Sequence, residues 1–286
     1  MPDIVIHVVA SALYAALALH FWRTRWRVPS KGWRPAQAAG GGLREGPQTG
    51  LRSWERAAIL LPLALHGGLL YAELFAPEEL RFGFAYALSA MLWLTVLFYW
   101  LESFVYDLDA LQAPALALAA LALPLPLLFP GRTGGAYVAS LEFRVHLLLA
   151  MLAYSLFTIA ILHAVLMAVA ERRLHRKERG ALGALPPLLT LERLLFRLIG
   201  GAFLLLTLTL ATGIAFSETL FGRALRFDHK TVFGVLSWLT FGVLLAGRWL
   251  YGWRGRTALR WTLSGFVLLV LAYVGSRFVL EVLLAR

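Results

Sequence analysis

Long apolar runs alternate with short polar segments along most of this 286-residue chain. A helix that crosses a membrane needs about 20 consecutive, mostly apolar residues. Eight segments reach that length, near residues 3–22, 55–75, 82–102, 110–129, 143–170, 194–217, 231–251 and 258–284. The pattern therefore predicts an all-α fold, a bundle of eight antiparallel transmembrane helices whose backbone polar groups are satisfied within the helices.

The apolar pattern does not divide into separate folded units. We predict one transmembrane domain over residues 1–286, in which 1–135 hold the first four helices and 136–286 hold the last four. The segment 23–54 is rich in proline and glycine and has few large apolar residues, so we predict a flexible linker there.

Prolines and glycines predict local features of the bundle. Pro124 and Pro126 are expected to kink or end the fourth helix, because proline lacks an amide donor. Small residues allow close helix contacts within membranes. The candidates are Gly67, Gly68, Gly200, Gly201, Gly213 and Gly265.

Composition excludes several classes of protein. The chain is 60% apolar and 15% charged, with a mean hydropathy of +0.72, whereas soluble domains are about half apolar and about a quarter charged. There is no cysteine, which excludes a disulfide scaffold, an iron–sulfur cluster and a thiolate zinc site.

The net charge of +11 predicts an orientation in the membrane. Basic residues lie between the apolar runs, which argues for membrane topology and against a nucleic-acid partner. The loops after the first, fifth and seventh helices, with the helix ends beside them, hold 19 of the 27 Lys and Arg residues. The positive-inside rule places these loops in the cytoplasm and both termini outside. For a bacterial chain this predicts a multi-pass inner membrane protein with periplasmic termini.

Ionisable residues within the apolar runs are functional candidates by default. His66 and His163 are secondary candidates for a ligand-binding role. The alternative for His66 is a close helix contact with a hydrogen bond to a neighbour, and the alternative for His163 is a structural role. Glu73 lies near the outer end of the second helix. Arg277 and Glu281 are four residues apart in the last helix, so they share a face and can pair.

Two histidines open helices on the predicted outer side. His146 begins the fifth helix and His229 begins the seventh. Neutral imidazole is a common metal ligand, and cations lie nearby in the sequence at Arg144, Arg226 and Lys230. This combination suits a metal porphyrin, with imidazoles on the iron and cations on the propionates. The alternative is an amphipathic histidine at each wet boundary.

Three runs of sequence resemble one family of haem-handling membrane proteins. RVHLLLAMLAYSLFTIAILHAVL, FDHKTVFGVLSWLTFGVLLAGR and TLSGFVLLVLAYVGSRFVLE are similar to the histidine helices and the last helix of the cytochrome c assembly family. The resemblance covers roughly residues 140–286 and is greatest to the branch of HemX-like and YpjD-like inner membrane proteins. It implies eight helices, outward termini and non-covalent b-type haem.

The same resemblance implies roles for individual residues. His146 and His229 correspond to the family's axial haem ligands, and Asp228, Lys230 and Trp238 match the family run that begins the seventh helix. The implied partners are membrane lipids and cytochrome c maturation components.

One feature departs from the family pattern. Haem-handling members carry a tryptophan-rich outer loop, whereas the corresponding stretch SETLFGRALRFDHK contains no tryptophan. We therefore expect a protein that holds haem at the periplasmic face, and not an enzyme that makes or breaks a covalent bond.

Two alternatives remain open. One is a haem-free transporter or exporter component with a cavity lined by His66, Glu73 and His163. The other is a scaffold whose basic loops recruit a cytoplasmic partner.

Overall fold

The fold was analysed in a computed structural model. The structure describes residues 2–26, 51–74, 81–106, 110–133, 140–175, 188–221 and 228–283. The helices are α1 (Pro2–Phe21), α2 (Ser53–Leu74), α3 (Phe84–Glu102), α4 (Gln112–Ala122), α5 (Leu125–Leu128), α6 (Leu141–His175), α7 (Leu188–Phe221), α8 (His229–Tyr251) and α9 (Gly255–Leu283). Two π-helical turns, Leu271–Gly275 and Val279–Leu283, lie within α9. A short antiparallel pair, β1 (Arg81–Phe82) and β2 (Arg132–Thr133), is the only strand structure within these ranges.

Helices occupy all eight predicted segments, and six are long and apolar enough to cross a membrane. These six are Ile4–Thr24, Phe84–Glu102, Leu141–Arg172, Leu188–Ser217, His229–Tyr251 and Gly255–Leu283. The all-helical, multi-pass architecture is confirmed. The count of eight spans is not confirmed and stays a prediction, as do the side of the termini and the division at residue 135. The predicted linker lies mostly outside the described residues.

The two remaining segments differ from the six for visible reasons. Helix α2 carries Pro62 and charged residues near both ends. The fourth segment is broken at Pro124, as predicted, because α4 ends at Ala122 and α5 begins at Leu125.

The first helices pack around a core of their own. Helix α1 lies against α2 and α4, and α3 lies against α4 and α6. A Cβ on Gly67 would lie 2.9 Å from the Trp93 ring, so the predicted close contact is present there. Gly68 and Gly200 face open space instead.

The last four helices form an antiparallel bundle. Helix α6 packs against α7 and α9, and α8 packs against the same two helices. Helices α6 and α8 therefore lie diagonally opposite, and they meet where Phe157 stacks on Phe241 with ring centroids 3.9 Å apart. A Cβ on Gly265 would lie 2.9 Å from the Phe241 ring, so glycine makes room for this stack.

We call the two ends of the molecule the outer end and the inner end, after the predicted topology. The outer end is where α1, α6 and α8 begin, and the inner end is where they finish. At the outer end, Glu281 of α9 accepts a hydrogen bond from the Phe84 backbone N–H at 3.3 Å. A Cβ on Gly83 would lie 2.6 Å from that carboxylate, so glycine is required there. The start of α3 is thus joined to the last helix.

Candidate functional site

His146 is fixed at the outer end of α6 by the way that helix begins. The Ser140 side chain accepts a hydrogen bond from the Phe143 N–H at 3.2 Å, and the Ser140 carbonyl accepts one from the Arg144 N–H at 3.2 Å. Serine at this position satisfies amide groups that the first turn leaves unpaired. His146 follows one turn later and is half-buried against α7.

One hydrogen bond selects the tautomer of His146. Its Nδ1 lies 3.0 Å from the hydroxyl oxygen of Thr212 on α7. That hydroxyl donates its single proton to backbone carbonyls of its own helix, Leu208 at 2.9 Å and Thr209 at 3.0 Å. In this arrangement Thr212 accepts from His146, which favours the tautomer with the proton on Nδ1 and a free lone pair on Nε2. Histidines that ligate metals are oriented in this way.

The helix opposite His146 is shaped to admit the imidazole. A Cβ on Gly213 would lie 3.2 Å from Cε1 of His146, closer than most such contacts. Thr212 and Gly213 thus act together. Thr212 accepts a hydrogen bond from the imidazole, and Gly213, which has no side chain, leaves room for the ring.

His229 lies at the first position of α8. Asp228 caps this helix, because its carboxylate accepts from the Thr231 N–H at 2.9 Å and from the Thr231 hydroxyl at 3.0 Å. The His229 side chain is exposed, and within the described ranges its ring has no hydrogen-bond partner. Its nitrogens are therefore accessible to a ligand.

The two histidines lie at similar depth in the bundle. His146 precedes Phe157 by 11 residues, and His229 precedes Phe241 by 12. With a rise of 1.5 Å per residue, they lie about 16 Å and about 18 Å beyond the stacked phenylalanines. Because α6 and α8 both begin at the outer end, the histidines are brought to one end of the molecule.

Two cations share an aromatic ring near this site. The Lys230 ammonium lies 5.5 Å from the centre of the Tyr273 ring, and the Arg277 guanidinium lies 5.9 Å from it. Arg277 pairs with Glu281 at 3.8 Å, which confirms the predicted i, i+4 pair. The carboxylate of Glu281 also caps α3, so it interacts both with Arg277 and with the Phe84 N–H.

The other predicted site residues lie in different surroundings. Arg144 is exposed on α6. Arg226 lies outside the described residues. Trp238 is nine residues inside His229, about 13 Å along α8, where its indole donates to the Thr207 hydroxyl at 2.9 Å and stacks on Phe203. Trp238 therefore joins α8 to α7 well below the outer end.

His66 and His163 both bond to neighbouring groups. His66 Nε2 is 2.8 Å from the Ser89 hydroxyl on α3. His163 donates from Nδ1 to the Ile159 carbonyl at 2.9 Å, and its Nε2 lies 3.4 Å from Glu102. Both histidines therefore have partners within the protein. His163 pairs with Glu102 of α3 and not with Glu73 of α2, with which it was expected to line a cavity. Among the described residues, no group of three or more His, Asp or Glu is arranged around a metal position.

Gly213 was predicted to mark a close helix contact, and the contact is present, but the sequence did not place the following residues at this site. Thr212, Gly213 and Tyr273 join it only because α7 and α9 lie beside α6 and α8. Spacing did identify the pair of Arg277 with Glu281, but not its position beside Lys230. The adjacent Thr-Gly at positions 212–213, at the depth of a helix-opening histidine, was the one available hint.

These features define a polytopic helical membrane protein in which two helices each begin near a histidine at one end of the molecule. The chain matches the model of the Cytochrome C assembly protein family over residues 54–284, so it belongs to that family. No solved structure matches it.

Several curated relatives are similar over part of the chain. Inner membrane protein YpjD of Escherichia coli strain K12 is 34% identical over 151 residues, 51% of this chain and 57% of the relative. A 28.8 kDa protein of Azospirillum brasilense is 38% identical over 141 residues, 49% of this chain and 52% of the relative. Cytochrome c biogenesis protein CcsA of Trichormus variabilis is 33% identical over 86 residues, 30% of this chain and 24% of the relative. The chain thus spans about half the length of the first two relatives and a quarter of the third.

Proposed function

We propose that this protein holds b-type haem non-covalently at its outer end, in a bacterial inner membrane, as part of cytochrome c biogenesis. The observation that carries the proposal is the bond between His146 and Thr212, which leaves Nε2 of His146 free to bind a metal. His229, at the start of α8, would supply the second imidazole.

The donor set fits a porphyrin iron. An iron in a porphyrin takes four nitrogens from the macrocycle and needs only two from the protein. The two histidines lie at similar depth, one is held in the ligating tautomer, and the other is exposed. Haem supplies the iron that accepts the two imidazole lone pairs.

Cations around the histidines suit the two propionates of haem. Lys230 and Arg277 meet over Tyr273, and both donate to carboxylates. Arg144 and Arg226 are additional candidates. Asp228 and Trp238 serve the site indirectly, because Asp228 caps α8 beneath His229 and Trp238 fixes α8 against α7.

Family membership supports a role in cytochrome c biogenesis, and the sequence before His229 limits what that role can be. The relative CcsA is named a cytochrome c biogenesis protein, so maturation components are the proposed partners. The stretch before His229 lacks tryptophan, and we therefore propose that the protein keeps or relays haem rather than presenting it to an apocytochrome on an aromatic surface.

Haem titration of the purified protein tests the proposal. We expect a Soret band whose titration ends at one bound haem per chain. The bound haem should have the low-spin spectrum that two imidazole ligands produce. His146→Ala and His229→Ala should each weaken or abolish it, whereas His20→Ala at the inner end, where His20 pairs with Glu55, should leave it unchanged. A wild-type protein that shows no Soret shift with added haemin would refute the proposal.

A further inference from the structure

The first two helices carry polar contacts at three levels along their length. His7 of α1 lies 3.5 Å from Glu73 of α2, and His20 lies 3.2 Å from Glu55 at the inner end. Between them, the Tyr14 ring meets the His66 ring edge-on at 5.8 Å. From His7 to His20 the helix rises about 20 Å, most of the thickness of a hydrocarbon core.

The outer half of this interface carries several polar side chains beside buried apolar residues such as Ala10 and Leu69. His7, Ser11 and Tyr14 follow the i, i+4, i+7 spacing of a single helix face. Across from them, α2 presents Glu73 and His66. We call these five residues, together with Ser89 of α3, the outer seam.

Three polar atoms of the outer seam are buried without a protein partner in the described part of the chain. They are the Ser11 hydroxyl, the Tyr14 hydroxyl and Nδ1 of His66. Tyr14 is fully buried and His66 is 1% exposed. Buried polar groups nearly always have a partner, and buried water supplies one where the protein does not.

The interface becomes apolar on the inner side of His66. The residues next to it in that direction are Ala18 of α1 and Leu63 and Ile59 of α2, all buried. Polar groups return only with His20 and Glu55. At the outer end, the Glu73 side chain is 23% exposed. The seam is therefore open at one end and closed by apolar packing at the other.

We propose that the outer seam is a hydrated half-channel, in which a file of water connects the outer aqueous phase at Glu73 with His66 in the middle of the membrane. The seam would bind water, and protons would move along this water. His66 then exchanges protons with the outer side only, through a route that the haem site does not use.

The natural chain has no cysteine, so single cysteines can report on this route. Ser89→Cys places a thiol beside His66, and Ser237→Cys is the matched control, since Ser237 is equally buried and bonds to the Gly265 carbonyl in the other bundle. The full-length protein in oriented membrane vesicles is exposed to Ag⁺, a thiol-reactive cation of nearly the size of water, from either side. Remaining thiols are counted with a maleimide after denaturation.

We expect outer Ag⁺ to modify the residue-89 thiol about 100-fold faster than the residue-237 thiol, because only a hydrated thiol forms the reactive thiolate. Inner Ag⁺ should leave the residue-89 thiol intact. Equal rates for the two thiols would overturn the hydrated seam, and equal rates from the two sides would overturn the half-channel.

A second variant tests the path itself. In the Ser89→Cys background, Ser11→Leu fills the seam and should slow modification about tenfold or more, as expected when a hydrated path is filled with hydrocarbon. Val8→Leu, on an exposed face of α1, should not. If Ser89→Cys does not fold, Ser11→Cys reports on the same water. An unchanged rate with Ser11→Leu would exclude this route.

Discussion

Nδ1 of His146 lies 3.0 Å from the hydroxyl of Thr212, and this contact joins the start of α6 to the last turns of α7. It orients the imidazole and fixes its proton at the same time. A threonine on α7 should therefore control how well His146 on α6 and His229 on α8 bind iron.

Thr212→Val keeps the shape of the side chain and removes the acceptor. We expect haem affinity to fall about tenfold, with a Soret band retained, because losing a partner that orients a metal ligand has effects of this size. Haemin titration measures it. The matched control is Thr240→Val on α8, whose hydroxyl bonds only to its own helix, and an equal loss in both variants would contradict the special role of Thr212.

Gly213→Ala tests the space beside His146. The added Cβ would lie 3.2 Å from Cε1, so we expect the ring to be displaced and haem affinity to fall, while the helix itself gains up to about 1 kcal/mol. Gly200→Ala is the control, because nothing lies within 4 Å of its Cβ position. Thermal unfolding and haemin titration together separate the two effects. Unchanged haem binding in Gly213→Ala would show that the ring does not need this space.

Lys230 and Arg277 are predicted to recognise the carboxylates of haem. Wild-type protein should prefer haemin over its dimethyl ester, because only the free acid carries charges for these cations. Lys230→Gln together with Arg277→Gln should remove the preference and leave the Soret position of the bound ester unchanged. Arg256→Gln, a change in an exposed arginine at the inner end, serves as the control. A preference that survives the double change would assign the propionates to other residues, such as Arg144.

Gly83→Ala is predicted to destabilise the outer end. Its Cβ would lie 2.6 Å from the Glu281 carboxylate and 2.9 Å from the Gly131 backbone, so the bond to the Phe84 N–H must stretch or break. We expect a loss of about 1–3 kcal/mol, the usual range for overpacking a buried site. Thermal unfolding in detergent measures it against Gly68→Ala, which meets open space. Equal melting temperatures for the two variants would count against a close outer junction.

The sequence predicted what depends on local pattern and missed what depends on helix order. Long apolar runs predicted the helices because membrane thickness imposes a minimum length, and proline predicted the break between α4 and α5. The same rule could not decide whether α2, with Pro62 and charged ends, crosses the membrane.

The site divides in the same way. Spacing along one helix predicted the pair of Arg277 with Glu281. The positions of Thr212 beside His146 and of Lys230 beside Arg277 depend on how four helices are ordered and rotated, which no local pattern contains. Trp238 belongs to the family run that begins at Asp228, and its hydrogen bond to Thr207 of α7 could not be predicted from that run.

The bond from Phe84 to Glu281 spans 197 positions of the chain. During synthesis the first turn of α3 leaves the ribosome long before α9 does. The Phe84 amide therefore has no Glu281 acceptor until α9 has been translated. Nascent chains arrested before residue 281 lack this acceptor at the outer end. Hydrogen exchange at the Phe84 amide therefore reports whether α9 has docked against the start of α3.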